Sequence, residues 1–250
     1  MIPLPATPRP RFAVKADTYD AHARVQAEAA EWLAEWLPES GPNGPNGPVL
    51  ELGAGTGLFT RHLAERFENL TCTDLSREML DVCEQRVPGP GYLVQDAWSP
   101  LLNSGTWDLV SACSLLQWAT EPAATLAHWR NALHPNGRIL AAFFIAPTLA
   151  EMEAVMGQPG PVQWRDTPVW QEIFQAAGLR ALRIEAETRR YTFNSAMDFW
   201  KALHGTGATV SRQLKPSALL RFFRDYEARF PDPAGVYSTW TFCRVELARA

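Results

Sequence analysis

Long apolar runs are missing from this sequence: no stretch approaches the roughly 20 apolar residues that cross a bilayer, so no membrane span is expected. The opening Met1–Pro10 is rich in proline and lacks the basic head and apolar run of a secretory signal, and the chain reads as cytoplasmic. A surplus of positive charge is missing as well. The 23 Lys and Arg face 27 Asp and Glu, giving a formal net charge of −4, and no basic stripe crosses the core. That argues against a nucleic-acid partner. Cysteine is scarce: Cys72, Cys83, Cys113 and Cys243 are scattered without the paired spacing of a zinc site. They read as small buried apolar residues, and no cluster implies a metal. What is present is ordinary for a globule: 250 residues, 46% of them hydrophobic, suit one large α/β domain or a domain with a cap.

The chain is organised around Val49-Leu50-Glu51-Leu52-Gly53-Ala54-Gly55-Thr56-Gly57, an apolar run that stops at three alternate glycines and passes into a helix-like Leu58–Phe67. This is the profile of a buried strand turning sharply into a helix. Gly53 can take backbone angles closed to other residues, Gly55 lets a ligand approach the main chain, and Gly57 lets the following helix pack closely. A dinucleotide fingerprint would place its third glycine where Leu58 stands. The G-x-G-x-G spacing instead suits an amino-acid-like ligand at the strand's carboxyl end. It resembles motif I of class I S-adenosylmethionine-dependent methyltransferases. Taken alone, the triplet is equally a tight strand-to-helix turn.

Its context decides. A second apolar stretch, Leu70–Thr73, ends at Asp74 and is followed by Ser76, an apt N-cap for a helix through Arg86. A carboxylate there can accept both hydroxyls of a ribose. A third candidate strand, Tyr92–Val94, ends near Asp96, where this fold usually reads the adenine amino group. Either carboxylate alone is equally a solvated residue at a helix start; three spaced signals in order favour a nucleoside.

The remaining elements follow in sequence. Thr18–Leu37 has helical periodicity, and the proline- and glycine-rich Pro38–Pro48 is an exposed loop. Trp107–Cys113 reads as the fourth strand and Ala123–Leu133 as a helix, ended by a turn at His134–Gly137 that launches the strand Arg138–Ile145. Thr148–Met156 and the Gly157–Pro161 interruption resemble a lid. Val169–Ala177 is a helix, Arg180–Tyr191 a strand, Ser195–Leu203 and Pro216–Phe230 are helices, and Val236–Leu247 is the last strand. The organisation expected is a single domain in three parts: residues 1–48, the cofactor core 49–147, and the lid, cap and last strands 148–250.

Over nearly its whole length the chain resembles a narrower family, the malonyl-acyl-carrier-protein O-methyltransferases of the BioC type that open biotin synthesis. The likeness rests on Tyr19-Asp20 with Gln26, on Leu115-Leu116-Gln117-Trp118, on His204-Gly205-Thr206-Gly207-Ala208, and on Gly235-Val236-Tyr237-Ser238-Thr239-Trp240. His204 stands where the family has lysine and Trp240 where it has tyrosine, and the lid around Trp164-Arg165-Asp166 departs from the family pattern. The resemblance implies a Rossmann-like class I methyltransferase fold: a seven-stranded, mostly parallel sheet flanked by helices, with a small helical cap over the pocket. It implies S-adenosylmethionine as cofactor, leaving S-adenosylhomocysteine, and a malonyl thioester on an acyl-carrier protein as partner. Cofactor residues would be Tyr19, Glu51, Gly53, Ala54, Gly55, Gly57, Asp74, Leu75, Asp96, Ala97, Ser114 and Leu115, with Tyr19, Gln117 and Trp118 positioning the reactants. Tyr19 is equally a packing residue.

A carboxylate substrate is ionised at neutral pH, so no general base is needed and catalysis would come from position and dehydration. The anion calls for a cation: Arg165 first, because a guanidinium grips a carboxylate by two parallel bonds, then Lys201, His204 and Arg212. Arg212, Lys215, Arg221 and Arg224 form a basic cluster suited to an acidic carrier protein. Two other readings use the same fold: a methyltransferase for another small acid or a quinone-like ring, and a module that binds the cofactor without turning it over.

Overall fold

The computed structural model describes residues 16, 18–39, 47–99, 105–207 and 215–250. The opening Met1–Pro10, most of the Pro38–Pro48 loop, Ala208 and Arg212 lie outside them. Strand β1 (Val49–Leu52) is buried at every position, as a central parallel strand covered on both faces must be. Strands β2 (Leu70–Asp74) and β4 (Trp107–Cys113) flank it in parallel, with β3 (Gly91–Val94) outside β2 and β5 (Leu133–Ile145) outside β4. Two long antiparallel strands complete the sheet: β8 (Gly235–Arg249) pairs with β5, and β6 (Leu179–Phe193) pairs with β8 at the edge. The order is β3-β2-β1-β4-β5-β8-β6. These are the seven expected strands, and a two-residue β7 (Pro231–Asp232) is added beside the start of β8.

Alternation along the strands feeds two separate cores. In β5, Ile139, Ala141 and Phe143 pack with Leu126 and Trp129 of α4 (Pro122–Ala132) and with Trp170 and Phe174 of α6 (Thr167–Ala176). Leu140 and Ala142 of the same strand belong to the other core, with Leu33 of α1 (Arg24–Ala34), Leu63 of α2 (Thr60–Ala64) and Leu80 of α3 (Arg77–Arg86). A third cluster forms the expected cap. Phe144 and Phe242 meet Phe199 and Leu203 of α7 (Ala196–Gly205) and Phe222 and Tyr226 of α8 (Pro216–Arg229), with Met152 of α5 (Ala150–Met156) packed against them.

Local chemistry sets the helix starts. Ser76, Asp166 and Ser195 each accept a backbone N–H three residues on, at 3.1 Å, caps worth about 1 kcal/mol apiece. Three boundaries differ from expectation. Residues 18–23 are turns rather than the start of α1, with the His22 N–H donating to Tyr19 O and the Ala23 N–H to Asp20 O. Helix α2 fills only part of Leu58–Phe67. The turn expected at His134–Gly137 is a bulge within β5, since Leu133 pairs with Trp107 and Arg138 already pairs with Leu109. A Cβ at Gly137 would stand 2.6 Å from the Trp107 carbonyl oxygen, so glycine alone lets the bulge lie flat.

Fully buried Trp129 donates its indole N–H to the Ala97 carbonyl at 2.8 Å, tying α4 to the loop that follows β3. Trp129→Phe leaves that carbonyl without its partner, and thermal or urea unfolding should register a loss of about 1–3 kcal/mol.

Candidate active site at the carboxyl ends of the strands

The chain leaves β1 at Gly53 with φ of 69°, a left-handed turn that any Cβ would strain. At Gly55 a Cβ would meet nothing within 4 Å, so the backbone there presents an open face. The Gly55 N–H donates to Asp74 Oδ2 at 2.9 Å, and Asp74 Oδ1 accepts the Ser76 N–H at 2.8 Å. One carboxylate thus joins the glycine bend to the start of α3. Burial raises the Asp74 pKa, opposed by the N–H groups of Ser76, Gly55 and Leu75. Gly57 faces α3 instead of the cavity, since a Cβ there would lie 3.1 Å from Cys83 Sγ. Beneath the bend, buried Glu51 accepts the Thr60 hydroxyl at 2.6 Å, and desolvation pushes its carboxyl up to about 7.

A cavity of about 420 Å³ opens over this bend, within the usual range for small-molecule sites. Tyr19, Glu51, Gly53, Ala54, Gly55, Asp74, Leu75, Asp96, Ala97, Ser114 and Leu115 all line it, leaving only Gly57 of the expected cofactor residues outside. At the far end Asp96 Oδ1 accepts the Trp98 N–H at 3.0 Å. Gln26, Met79, Gln95 and Trp98 also line the cavity and were not foreseen as cofactor residues. Met79 had one available signal: it stands three residues after the N-cap Ser76, on the first turn above β2.

The N-terminal segment lies over the bend. Asp20 accepts the Thr56 hydroxyl at 2.5 Å and also pairs with Arg86, whose guanidinium reaches the Thr56 carbonyl at 3.2 Å. This pins neighbouring Tyr19 in the cavity wall. Burial, then the nearby Cys113, Asp20 and Asp74, raise the tyrosine's pKa, so its hydroxyl keeps its proton.

A second pocket of about 50 Å³ adjoins the first and shares Tyr19, Gln26, Ser114 and Trp118 with it. Its other walls are mostly apolar, including Phe144, Met152, Trp164 and Trp240. Ser114, at the junction, has a φ of 55°, a conformation that costs of order 1–3 kcal/mol and concentrates at functional sites. Gln117 Nε2 donates to the Ser114 carbonyl at 2.8 Å, while its own buried Oε1 has no protein partner.

Among the described residues, no Lys, Arg or His lines either of these spaces. Arg165 follows the wall residue Trp164, but its guanidinium lies over the Trp170 ring at 5.8 Å and donates to Gln163 Oε1 at 3.1 Å. Lys201 is exposed, 3.9 Å from Asp198, and His204 stacks on Trp200 with centroids 4.0 Å apart. Lys215, Arg221 and Arg224 are exposed at α8, and Arg224 pairs with Asp225 at 2.9 Å. The four thiols are unpaired, and burial pushes Cys113 and Cys243 up to about 12. Among the described residues no group of three metal-ligating side chains forms, and no helix is long and apolar enough to cross a membrane.

Residues 50–141 match the family model described as a methyltransferase domain. A methyltransferase structure from Bacillus halodurans shares the fold with a TM-score of 0.66 at 12% identity, covering 88% of this chain and 98% of that one. Geranyl diphosphate C-methyltransferase from Streptomyces coelicolor, solved with S-adenosyl-L-homocysteine, gives 0.54 at 12% identity, covering 91% and 80%. With an open backbone face at Gly55 and acceptor carboxylates at Asp74 and Asp96, the cavity fits S-adenosylmethionine. The fold is that of the class I S-adenosylmethionine-dependent methyltransferases, and with a methyltransferase domain at its core the chain is an S-adenosylmethionine-dependent methyltransferase.

Within that class it stands among relatives of malonyl-[acyl-carrier protein] O-methyltransferase. The Paenibacillus enzyme of that name is 26% identical over 252 residues, covering 90% of this chain and 91% of that protein. The Serratia marcescens enzyme is 29% identical, covering 84% and 81%. The biotin biosynthesis bifunctional protein BioCD of Bordetella avium is 32% identical, covering 81% of this chain and 44% of that longer protein.

Two outcomes test the electrostatics. Glu51 is harder to ionise folded than unfolded, so its contribution is fully present below the ordinary carboxylate range and is lost as pH rises through about 7. Glu51→Gln should flatten a fall on the order of 3 kcal/mol between about pH 5 and pH 8 in urea unfolding of the ligand-free protein. Asp74→Asn offers one acceptor oxygen where two N–H groups converge, and calorimetry should show S-adenosylmethionine binding weakened by at least about tenfold.

Proposed function

We propose that this methyltransferase esterifies the free carboxylate of a malonyl thioester carried by an acyl-carrier protein, at the start of biotin synthesis. The observation that carries the reading is a small, mainly apolar pocket opening off the cofactor cavity at Tyr19, Ser114 and Trp118, in a chain whose relatives carry that activity in their names. The bound cofactor supplies an electrophilic methyl group. The chain supplies the rest. Asp74 holds the ribose hydroxyls, Asp96 the adenine amino group, and the Tyr19 hydroxyl the cofactor's carboxylate. The aromatic walls strip water from the substrate carboxylate, while Gln117 and Trp118 hold its approach. Proximity alone supplies part of the ~7–11 kcal/mol available in ideal cases. A carboxylate needs no general base, so the absence of a catalytic histidine among the pocket-lining described residues costs nothing.

Arg165 is the first candidate to grip the substrate's anion, with Lys201, His204 and Arg212 in reserve. The exposed Lys215, Arg221 and Arg224 make a docking surface for an acidic carrier, to which Arg212, outside the described residues, adds charge in sequence. A cytoplasmic setting accords with that partner.

Labelled S-adenosylmethionine with a panel of malonyl thioesters and other small acids tests the reading, and the expected product is the methyl ester of the malonyl group. No label on any malonyl thioester overturns it. Arg165→Ala should raise KM for the thioester with cofactor affinity unchanged, and unaltered substrate kinetics would release Arg165 from the role. Reversing Arg221 and Arg224 together should raise KM for the carrier-bound substrate, more at low salt than at high.

A further inference from the structure

Neither the cofactor cavity nor the aromatic pocket accounts for a third space of about 250 Å³. It shares Gln26, Leu203 and Trp240 with the aromatic pocket, and Gln26 lines all three spaces. One side chain therefore touches cofactor cavity, pocket and third cavity. Its walls come from the start of α1, the end of β6 and one face of α7. Empty cavities in a core are apolar and dry, but this one is lined by Arg24, His22 and Thr192 as well as by Val25, Phe193 and Phe199. The Arg24 side chain is 75% exposed, whereas Leu203 and Trp240 are 7% and 6% exposed. The cavity thus has a wet rim, where exposed Arg24 pairs with Glu28 at 3.0 Å, and a buried apolar inner wall at Leu203 and Trp240 that it shares with the methyl-transfer pocket.

A small free acid has no use for such a space. A flexible arm of alternating amides and hydrocarbon, ending in a phosphodiester, matches it group by group: phosphate to Arg24, amides to Gln26 and Thr192, hydrocarbon to Val25 and Phe199. We propose that this cavity receives the phosphopantetheine arm of the substrate, with the thioester end passing the partition at Leu203 and Trp240 into the aromatic pocket. The proposal rests on the malonyl-thioester reading above and adds the route by which that substrate enters.

Ala202, also in this lining and absent from the other two spaces, provides the probe. Ala202→Trp fills the cavity, and Arg24→Ala removes its cation from an exposed position that folding tolerates. For each variant kcat/KM is measured with malonyl-coenzyme A, with malonyl-carrier protein and with malonyl-N-acetylcysteamine, which keeps the thioester and lacks most of the arm. Calorimetric S-adenosylmethionine binding checks that the fold is intact. The expected result is a drop of at least about tenfold in the ratio of long-arm to short-arm kcat/KM for Ala202→Trp, and a smaller drop for Arg24→Ala, with both long substrates. A ratio unchanged in both variants overturns the proposal while leaving the methylation reading intact. A drop confined to the carrier protein also overturns it, since the contact would then be with the protein and not its arm. Wild-type enzyme that methylates none of the three thioesters overturns the functional reading and this route together.

Discussion

The structure depends on one carboxylate. Asp74 ends β2 with its two oxygens accepting the N–H groups of Gly55 and Ser76, and neither donor has another place in a regular element. Parallel strands give their carboxyl ends no hairpin to hold them in register, so a side chain must bridge the end of one to the bend that follows the next. Asp74 does this at the price of its own desolvation, visible in its raised pKa. The bend in turn anchors the N-terminal segment, because Thr56 and Arg86 both hold Asp20. Without the bend, Tyr19 would have no fixed place in the wall shared by the cofactor cavity and the aromatic pocket.

Unfavourable features gather where ligands belong. Buried Glu51 and part-buried Asp74 have raised pKa values, Ser114 and Leu149 have left-handed backbones, and Gln117 keeps a buried oxygen without a protein partner. Each lowers the stability of the ligand-free chain. A ligand that brings positive charge and hydrogen-bond donors to these groups binds more tightly than its contacts with a relaxed site would allow, because it also relieves what the protein left unsatisfied. The large cores on either side of the sheet therefore offset what these groups cost, while the Asp74 contacts shape the bend.

The cofactor half of this arrangement was legible in the sequence because its signals are local. Strand, glycine bend, acid and N-cap fall within Val49–Ser76, and their spacing carries the geometry. The substrate half was not, since its walls are collected from distant places: Phe144 from β5, Trp164 from the segment between α5 and α6, Leu203 from α7 and Trp240 from β8. Nothing in the spacing of these residues announces that they share a space. The surroundings of the charged candidates were hidden for a related reason. Arg165 and His204 stand out in a row of letters, but an aromatic neighbour engages each of them, Trp170 and Trp200 respectively. The bulge at His134–Gly137 has the turn chemistry of Pro135, Asn136 and Gly137 in its sequence, whereas cross-strand pairing of Leu133 with Trp107 keeps the segment in the sheet.

The antiparallel end of the sheet brings the cap helices and α1 into one hydrophobic cluster. Strand β8 enters against the direction of β5, so the chain between β6 and β8 returns to the carboxyl ends of the parallel strands, where α7 gives Leu203 to the pocket wall and α8 packs against α7 in the same cluster. Arg244 of β8 then reaches across to α1. Its guanidinium lies 4.2 Å from the ring of Trp32 and 4.5 Å from that of Trp36, and it pairs with Glu35 of the segment ending α1 and Glu185 of β6, each at 2.8 Å. Both acids are substantially exposed while the arginine is buried, so packing between the indoles carries more of this contact than charge does. Because α1 begins beside Tyr19 and Gln26 lies in its first turn, a contact at its far end fixes the residues that divide cofactor from substrate. Substrate choice can then vary in the helices between β6 and β8 without disturbing the glycine bend.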